Sequence, residues 1–295
     1  MTSASSNRPI VLGVDALAPE ATPVAWAADE ADRSGRPLRL VHALPPTSQD
    51  RHALGAEQYR EELRERGHRA LDEAAALARR RHPDLSVTTA VAEDIAAPAL
   101  CRESVHAALV VLGSRRLNRL EEVLSASSVT VPVSAQAHCP VVVVREPEHA
   151  TREEPEEPYV VVGVDGSPSS AAAVEFAFDL ATRHRAALRA VRVRRSRLTA
   201  QVDEETAVQE LRRLLDEATA GRRTAYPDIT LTPAVLRGHP VEELARASEH
   251  AIGVVVGRRG RGGFTGMRLG SVPHGLLHRA HCPVVTVPAP PDGGH

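Results

Sequence analysis

Residues 257–271 read GRRGRGGFTGMRLGS. Gly257 ends the apolar run Ile252-Gly253-Val254-Val255-Val256. Gly260 follows after two residues, and Gly270-Ser271 after nine more. Glycines clustered behind a β-branched run mark backbone that approaches something closely or takes positive φ. Successive N–H groups in such a loop can form an anion-binding nest. A helix is expected to begin near Val272-Pro273, and a helix start offers unpaired N–H groups and partial positive charge, which suits phosphate. Arg258, Arg259, Arg261 and Arg268 add positive charge, and the stretch has no acidic residue. Three readings fit these residues: a phosphate site, a Gly/Arg surface loop without a ligand, and an arginine contact to nucleic acid or protein. The loop is no Walker A sequence, because Gly-Lys-Ser/Thr is absent. It is no dinucleotide G-x-G-x-x-G either, because that pattern follows a first strand and this one follows a late strand.

Other residues with chemical potential are fewer. Asp165 closes the apolar run Val160–Val164, and its carboxylate suits a sugar hydroxyl, a base edge or a phosphate-bound metal. Asp165-Gly166-Ser167-Pro168 is equally a good turn sequence, in which Asp165 forms the turn or caps a helix. His274 and His278 stand at i and i+4, without the third ligand or glutamate of a zinc motif. Cys101, Cys139 and Cys282 are an odd set with no disulfide-framework spacing. Cys139 and Cys282 each precede a proline at matching places, which points to packing rather than reactivity.

The elements that position these residues come in two sets. Gly13-Val14-Asp15 returns as Gly163-Val164-Asp165, and His138-Cys139-Pro140-Val141-Val142 returns as His281-Cys282-Pro283-Val284-Val285. This ordered return marks two copies of one domain, 1–148 and 155–290. The intervening REPEHATREEPEEP is acidic, proline-rich and aperiodic, as expected of a solvated linker. In the first copy, apolar runs at 9–14, 38–43, 85–91, 108–112 and 141–144 alternate with helical patterns, one starting at Pro19-Glu20 and a long one over 57–80. In the second copy, runs at 160–164, 188–193, 229–235, 252–256 and 284–287 do the same, with Ser169 expected to cap the first helix. Runs that are apolar throughout, alternating with helices, predict a parallel sheet covered on both faces. Ligands of such sheets sit beyond the C-terminal strand ends, near the switch in strand order.

Composition narrows the function classes. The 295 residues are 42% hydrophobic and 2% aromatic, so the cores are Ala, Val and Leu, with Trp26 and the few Phe expected inside. A formal net charge of −2 and one Trp, three Tyr and three Phe argue against nucleic-acid binding. No apolar run approaches the ~20 residues of a membrane span. The N-terminal MTSASSNRP does not read as a signal peptide, so a cytoplasmic protein is expected.

The combined pattern resembles the universal stress protein family in its tandem two-domain form. The resemblance rests on G-x2-G-x9-G-S at Gly257, Gly260, Gly270 and Ser271, on Val161-Val162-Gly163-Val164-Asp165-Gly166-Ser167, and on Val235-Leu236-Arg237-Gly238. It covers about 8–145 and 158–288. It implies two doubly wound α/β domains, each a five-stranded parallel sheet of order 3-2-1-4-5 flanked by helices. It implies ATP, with Mg²⁺, as ligand of the second copy. Asp165 would lie near the nucleoside, Val193 by the adenine and Gly238 in the pocket wall. Gly257, Arg258, Gly260, Gly270, Ser271 and Val272 would receive ribose and phosphates. The resemblance also implies pairing through strand five, within the chain or in a homodimer, and a regulatory protein partner.

The first copy departs from the signature. It keeps Asp15 and Gly113, but Arg116 replaces Gly260, Asp94 replaces Gly238, and Ser127-Ser128 stand opposite Gly270-Ser271. Glu121 and Glu122 add negative charge on the phosphate path, while Arg115 and Arg119 remain. The expected function is therefore an ATP-binding stress or dormancy regulator with no catalytic residue and at most weak hydrolysis. The competing readings are a scaffold of the same fold that no longer holds nucleotide, and a slow ATPase or nucleotidyl transferase.

Overall fold

The computed structural model describes residues 8–16, 21–46, 53–114, 129–145, 157–194, 204–219, 226–261 and 268–290. The chain divides into two compact units, Met1–Glu146 and Pro147–His295. The expected helix start at Pro19-Glu20, residues 146–156 of the acidic segment and most of the C-terminal tail lie outside the described residues.

The first unit runs β1 (Ile10–Gly13), α1 (Ala21–Ser34), β2 (Leu38–Ala43), α2 (Ala53–Arg81), β3 (Val87–Ala92), α3 (Ala96–Glu103), β4 (Leu109–Ser114), α4 (Thr130–Gln136) and β5 (Val141–Arg145). All its strand pairs are parallel, in the order β3-β2-β1-β4-β5. Burial follows that order. In the interior strand β1, Ile10, Val11 and Leu12 are at most 1% exposed, whereas Thr88 and Thr89 of the edge strand β3 face solvent. With so few aromatics, the helices approach the sheet on small side chains: Ala27, Ala28 and Ala31 of α1 are fully buried. Trp26, expected in the core, is only half-buried, because the alanine stripe occupies the sheet-facing side of α1. Gly67 weakens α2 by propensity alone. Its place is explained by the His42 ring, which a Cβ at this position would strike.

The second unit runs β6 (Tyr159–Gly163), α5 (Pro168–His184), β7 (Ala187–Arg194), α6 (Glu204–Thr219), β8 (Leu231–Arg237), α7 (Pro240–Ala247), β9 (Gly253–Gly257), α8 (Ser271–Arg279) and β10 (Val284–Val287). Its order is β8-β7-β6-β9-β10, again all parallel. Connections from β6 leave toward β7 on one side, and β9 lies on the other. The switch in strand order therefore falls at the C-terminal ends of β6 and β9, between Asp165 and Gly257.

Three boundaries differ from the sequence pattern for local reasons. The cap of α5 is Ser167, not Ser169: its Oγ accepts the Ser170 N–H at 3.1 Å. Pro168 dictates this, since a proline at the first helical position fixes φ and pushes the residue before it to extended backbone. Ser167 accordingly has φ −80° and ψ 159°. Strands β3 and β8 both begin two residues later than their apolar runs. The N–H of Leu85 turns back to the His82 carbonyl, and that of Ile229 to the Tyr226 carbonyl. In each case a Pro-Asp turn takes the first apolar residue out of the ladder.

Candidate functional site

The site is built where β6 and β9 end. Val254, Val255 and Val256 are buried in the sheet, and Gly257 is the last residue of β9. A Cβ on Gly257 would lie 2.7 Å from the carbonyl carbon of Ser169 and 2.8 Å from the Ser170 nitrogen. Those are backbone atoms in the first turn of α5, so only glycine lets the strand end pass there. Arg258 keeps the ladder one residue further, its N–H donating to the Val287 carbonyl at 2.7 Å.

The chain then turns toward β6. The Ser167 hydroxyl donates to the Arg259 carbonyl at 3.1 Å. The Arg261 N–H donates to Oδ2 of Asp165 at 3.1 Å, while Oδ1 accepts the Ser167 N–H at 2.9 Å. The Asp165 N–H in turn donates to the Ser170 hydroxyl at 3.1 Å. Gly260 sits against the carboxylate, where a Cβ would stand 2.5 Å from Oδ2. Gly166, at φ +80°, makes the turn that brings these groups together.

The loop closes on α8. The Gly270 N–H donates to the Arg258 carbonyl at 2.9 Å, and Gly270 is the helix N-cap, at φ −69°. Ser271 and Val272 are thus the first helical positions, whose N–H groups have no partner within the helix. Pro273 contributes no N–H at all. Ser271 is exposed and Val272 half-exposed. Residues 262–267 lie outside the described residues. Of the two explanations for the signature glycines, close approach is the right one for Gly257, Gly260 and Gly270. Among the described glycines, positive φ occurs at Gly35, Gly166 and Gly238.

Val193 and Gly238 stand on the next two strand ends. Val193 pairs in register with Leu236. The Gly238 N–H donates to the Arg194 carbonyl at 3.0 Å, tying the end of β8 to that of β7. Gly238 has φ +153°, and a Cβ there would meet the Glu243 carboxylate at 2.6 Å. The family resemblance linked Asp165, Gly257, Arg258, Gly260, Gly270, Ser271 and Val272. The fold gathers Asp165, Gly257, Arg258, Gly260 and Gly270 at one strand edge by hydrogen bonds and close approach, with Ser271 and Val272 opening the adjoining helix. Val193, on β7, and Gly238, just past the end of β8, share the same sheet edge, beyond the pair β6–β9. Ser167 and Ser170, which join the two loops, were signalled only by their place in the Asp-Gly-Ser-Pro-Ser-Ser run.

The corresponding edge of the first unit is different. Asp15 is exposed. Asp94, expected as an extra carboxylate at the wall, is paired: it forms an ion pair with Arg102, and its Oδ1 accepts the Ile95 N–H at 2.6 Å. The Arg102 guanidinium, helped by that N–H, holds its carboxyl below the usual range. Arg115, Arg116, Arg119, Glu121, Glu122, Ser127 and Ser128 lie outside the described residues.

The remaining reactive side chains are not part of this cluster. Cys139 is buried, and desolvation pushes its thiol up to about 12. His274 and His278 meet on successive turns of α8 with ring centroids 4.8 Å apart and ring planes tilted by 57°. Among the described residues no three metal-ligating side chains gather, and no helix is long and apolar enough to cross a membrane.

Two copies of one parallel-sheet fold define a tandem α/β protein. The universal stress protein family matches this chain twice, over residues 6–145 and 159–288. A universal stress protein of Mycobacterium tuberculosis (strain ATCC 25618 / H37Rv) is 31% identical over 295 residues, covering 97% of this chain and 98% of its own. Another from the same strain is 31% identical over 319 residues, covering 99% and 98%. The solved structure of a universal stress protein from Archaeoglobus fulgidus DSM 4304 shares the fold at a TM-score of 0.73, with 19% identity and 98% of each chain covered. The chain belongs to the universal stress protein family, a family of stress-response proteins, and carries its domain in tandem.

Proposed function

We propose that the second unit binds a nucleotide, ATP with Mg²⁺, at the C-terminal edge of β6 and β9. The observation that carries this reading is the loop from Gly257 to Gly270. It is drawn onto the β6 turn by Asp165 and Ser167, and it closes at the first turn of α8. Backbone N–H groups at a helix start, with Arg258, Arg259, Arg261 and Arg268 in the segment that leads to it, suit a polyphosphate. Gly257, Gly260 and Gly270 keep side chains out of that edge. Val193 and Gly238 line the neighbouring strand ends, where the base and ribose would rest.

ATP is then a regulatory ligand rather than a fuel. Occupancy of the loop changes its conformation or its protein partner, with hydrolysis slow at most. Because cellular ATP is intracellular, the protein would act in the cytoplasm. A scaffold reading is favoured by one feature, the first copy's replacement of the Gly260 position with Arg116. It applies to that copy alone.

The test is thermal unfolding of the full chain with and without Mg-ATP. A ligand at a hundredfold its Kd stabilises the native state by about 2.7 kcal/mol. The reading expects a dose-dependent rise in midpoint, abolished by Gly257→Val. No rise up to millimolar ATP, with bound nucleotide excluded by extraction, would transfer the whole chain to the scaffold reading.

A further inference from the structure

We propose that the outer edge of β3 is a self-association surface, on which a second copy of this chain adds its own β3, antiparallel, about Thr89. The contact needs no nucleotide.

β3 is the last strand on its side of the first sheet and pairs with β2. The Leu38 N–H donates to the Ser86 carbonyl and the Leu44 N–H to the Ala92 carbonyl. In a parallel ladder that phase turns the backbone groups of Thr88, Ala90 and Ala92 toward β2 and those of Val87, Thr89 and Val91 away from it. Among the described residues, the outward row takes one bond, from Nη2 of Arg79 to the Val87 carbonyl at 3.0 Å. The N–H and C=O of Thr89 and Val91 have no partner there.

Such an edge is a template for another strand, and proteins usually blunt it with charge, with proline or with a cover. The second unit does so. In β8 the Leu188 N–H donates to the Thr230 carbonyl, so Leu231, Pro233, Val235 and Arg237 turn outward. Pro233 is the third residue of β8 and Thr89 the third of β3. Proline has no N–H to offer a further strand. β3 reads VTTAVA, without charge or proline.

The symmetry of the edge selects its occupant. A two-fold axis at Thr89 pairs Thr89 with Thr89 of the other copy, and Val87 with Val91, so the outward row satisfies itself. Threonine pairs are favourable across strands, and no like charges meet along this one. The ends are complementary as well. Arg79 stands at the Val87 end. Glu93, held by Arg60 at 2.9 Å and Arg64 at 2.6 Å, follows the Val91 end. An antiparallel pair brings each Arg79 toward the Glu93 end of the other copy. The Val87 carbonyl has a second lone pair, so Arg79 need not leave it. Because Pro233 blocks the matching row of β8, the contact closes as a β3–β3 dimer and does not run on from β3 to β8 of a next chain.

The experiment is sedimentation of the purified full chain over a range of concentrations, with hydrogen exchange read at Thr89 and Val91. Wild type is expected to dimerise reversibly, and both amides to exchange more slowly as the dimer forms. Thr89→Pro gives the first unit the residue that the second unit carries and removes both central donors. It is expected to weaken the dimer at least about tenfold. Thr89→Lys keeps the N–H but sets like charges opposite each other at the axis, and is expected to weaken the dimer likewise. It serves as the test should Thr89→Pro fail to fold. Pro233→Thr opens the second edge and is expected to add association beyond the dimer. A chain that stays monomeric up to about 0.1 mM would overturn the proposal. So would a dimer that both Thr89→Pro and Thr89→Lys leave intact, or one in which the Thr89 and Val91 amides exchange as in the monomer, since either places the contact on another surface.

Discussion

Asp15 and Asp165 end the same strand in two copies of one fold, yet the structure treats them differently. Asp165 is half-buried and tied to two loops. Asp15 is exposed. The position opposite Gly260 is Arg116 in the first copy, so the sequence puts a long charged side chain where the second copy has none. The wall position differs too. Gly238 turns at φ +153° where the first copy has Asp94, anchored to its own helix through Arg102 and the Ile95 N–H. The sheets match strand for strand, while the residues at these strand ends differ. Fold and site thus depend on separable residues: buried Val, Leu and Ala for one, close-approach glycines and a bridging carboxylate for the other.

The largest effect that would sharpen this contrast is expected from Gly257→Val. Its side chain would strike the backbone of α5 at Ser169 and Ser170. Relief requires moving either a strand end or a helix, so a loss of about 1–3 kcal/mol is expected from overpacking, read by chemical denaturation, with nucleotide binding abolished. The equivalent Gly113→Val should leave nucleotide affinity unchanged. Next is Gly238→Ala, which puts a side chain at φ +153° and against Glu243. A cost of about 1–3 kcal/mol is expected from the backbone strain. Ser167→Ala removes the α5 cap and the bond to the Arg259 carbonyl. Loss of the cap is worth about 1 kcal/mol, and nucleotide affinity should fall with it because the loop loses a tether.

The smallest effect belongs to the first unit. Arg102 holds the Asp94 carboxyl below its ordinary value of 3.8. A carboxylate depressed in the folded state contributes stability above its unfolded value and loses it as pH falls through the folded one. Arg102→Ala should therefore leave nucleotide binding intact and slightly reduce stability above about pH 4, with the difference from wild type vanishing in more acid solution. A strong effect of Arg102→Ala on nucleotide affinity would break the separation of the two copies.

Much of this fold was legible because its signals are long and redundant. Five apolar runs, each recurring in order, specify a parallel sheet whatever the fate of one boundary. The boundaries shifted where a single residue decides them: Pro168 moved the helix cap to Ser167, and the Pro-Asp turns delayed β3 and β8. The glycine spacing pointed to the strand edge where the fold brings Asp165, Gly257, Gly260 and Gly270 together, but the reason for each glycine was not readable. Sequence shows that a side chain is missing, not what fills its place. That Gly260 accommodates Asp165 and Gly257 the first turn of α5 depends on contacts between residues some ninety positions apart. Trp26 misled for a related reason: a sheet-facing stripe of small alanines leaves a large ring outside.

The central claim is that one copy has a working nucleotide loop and the other does not. Calorimetric titration of the purified full chain with Mg-ATP, alongside Gly270→Val, tests it most directly. A Cβ at Gly270 would already stand 3.3 Å from the Arg258 carbonyl, and the branched valine would press into the closure of the loop. One site per chain, lost in Gly270→Val, is the expected result. Two sites per chain, or a single site that survives Gly270→Val, would contradict it.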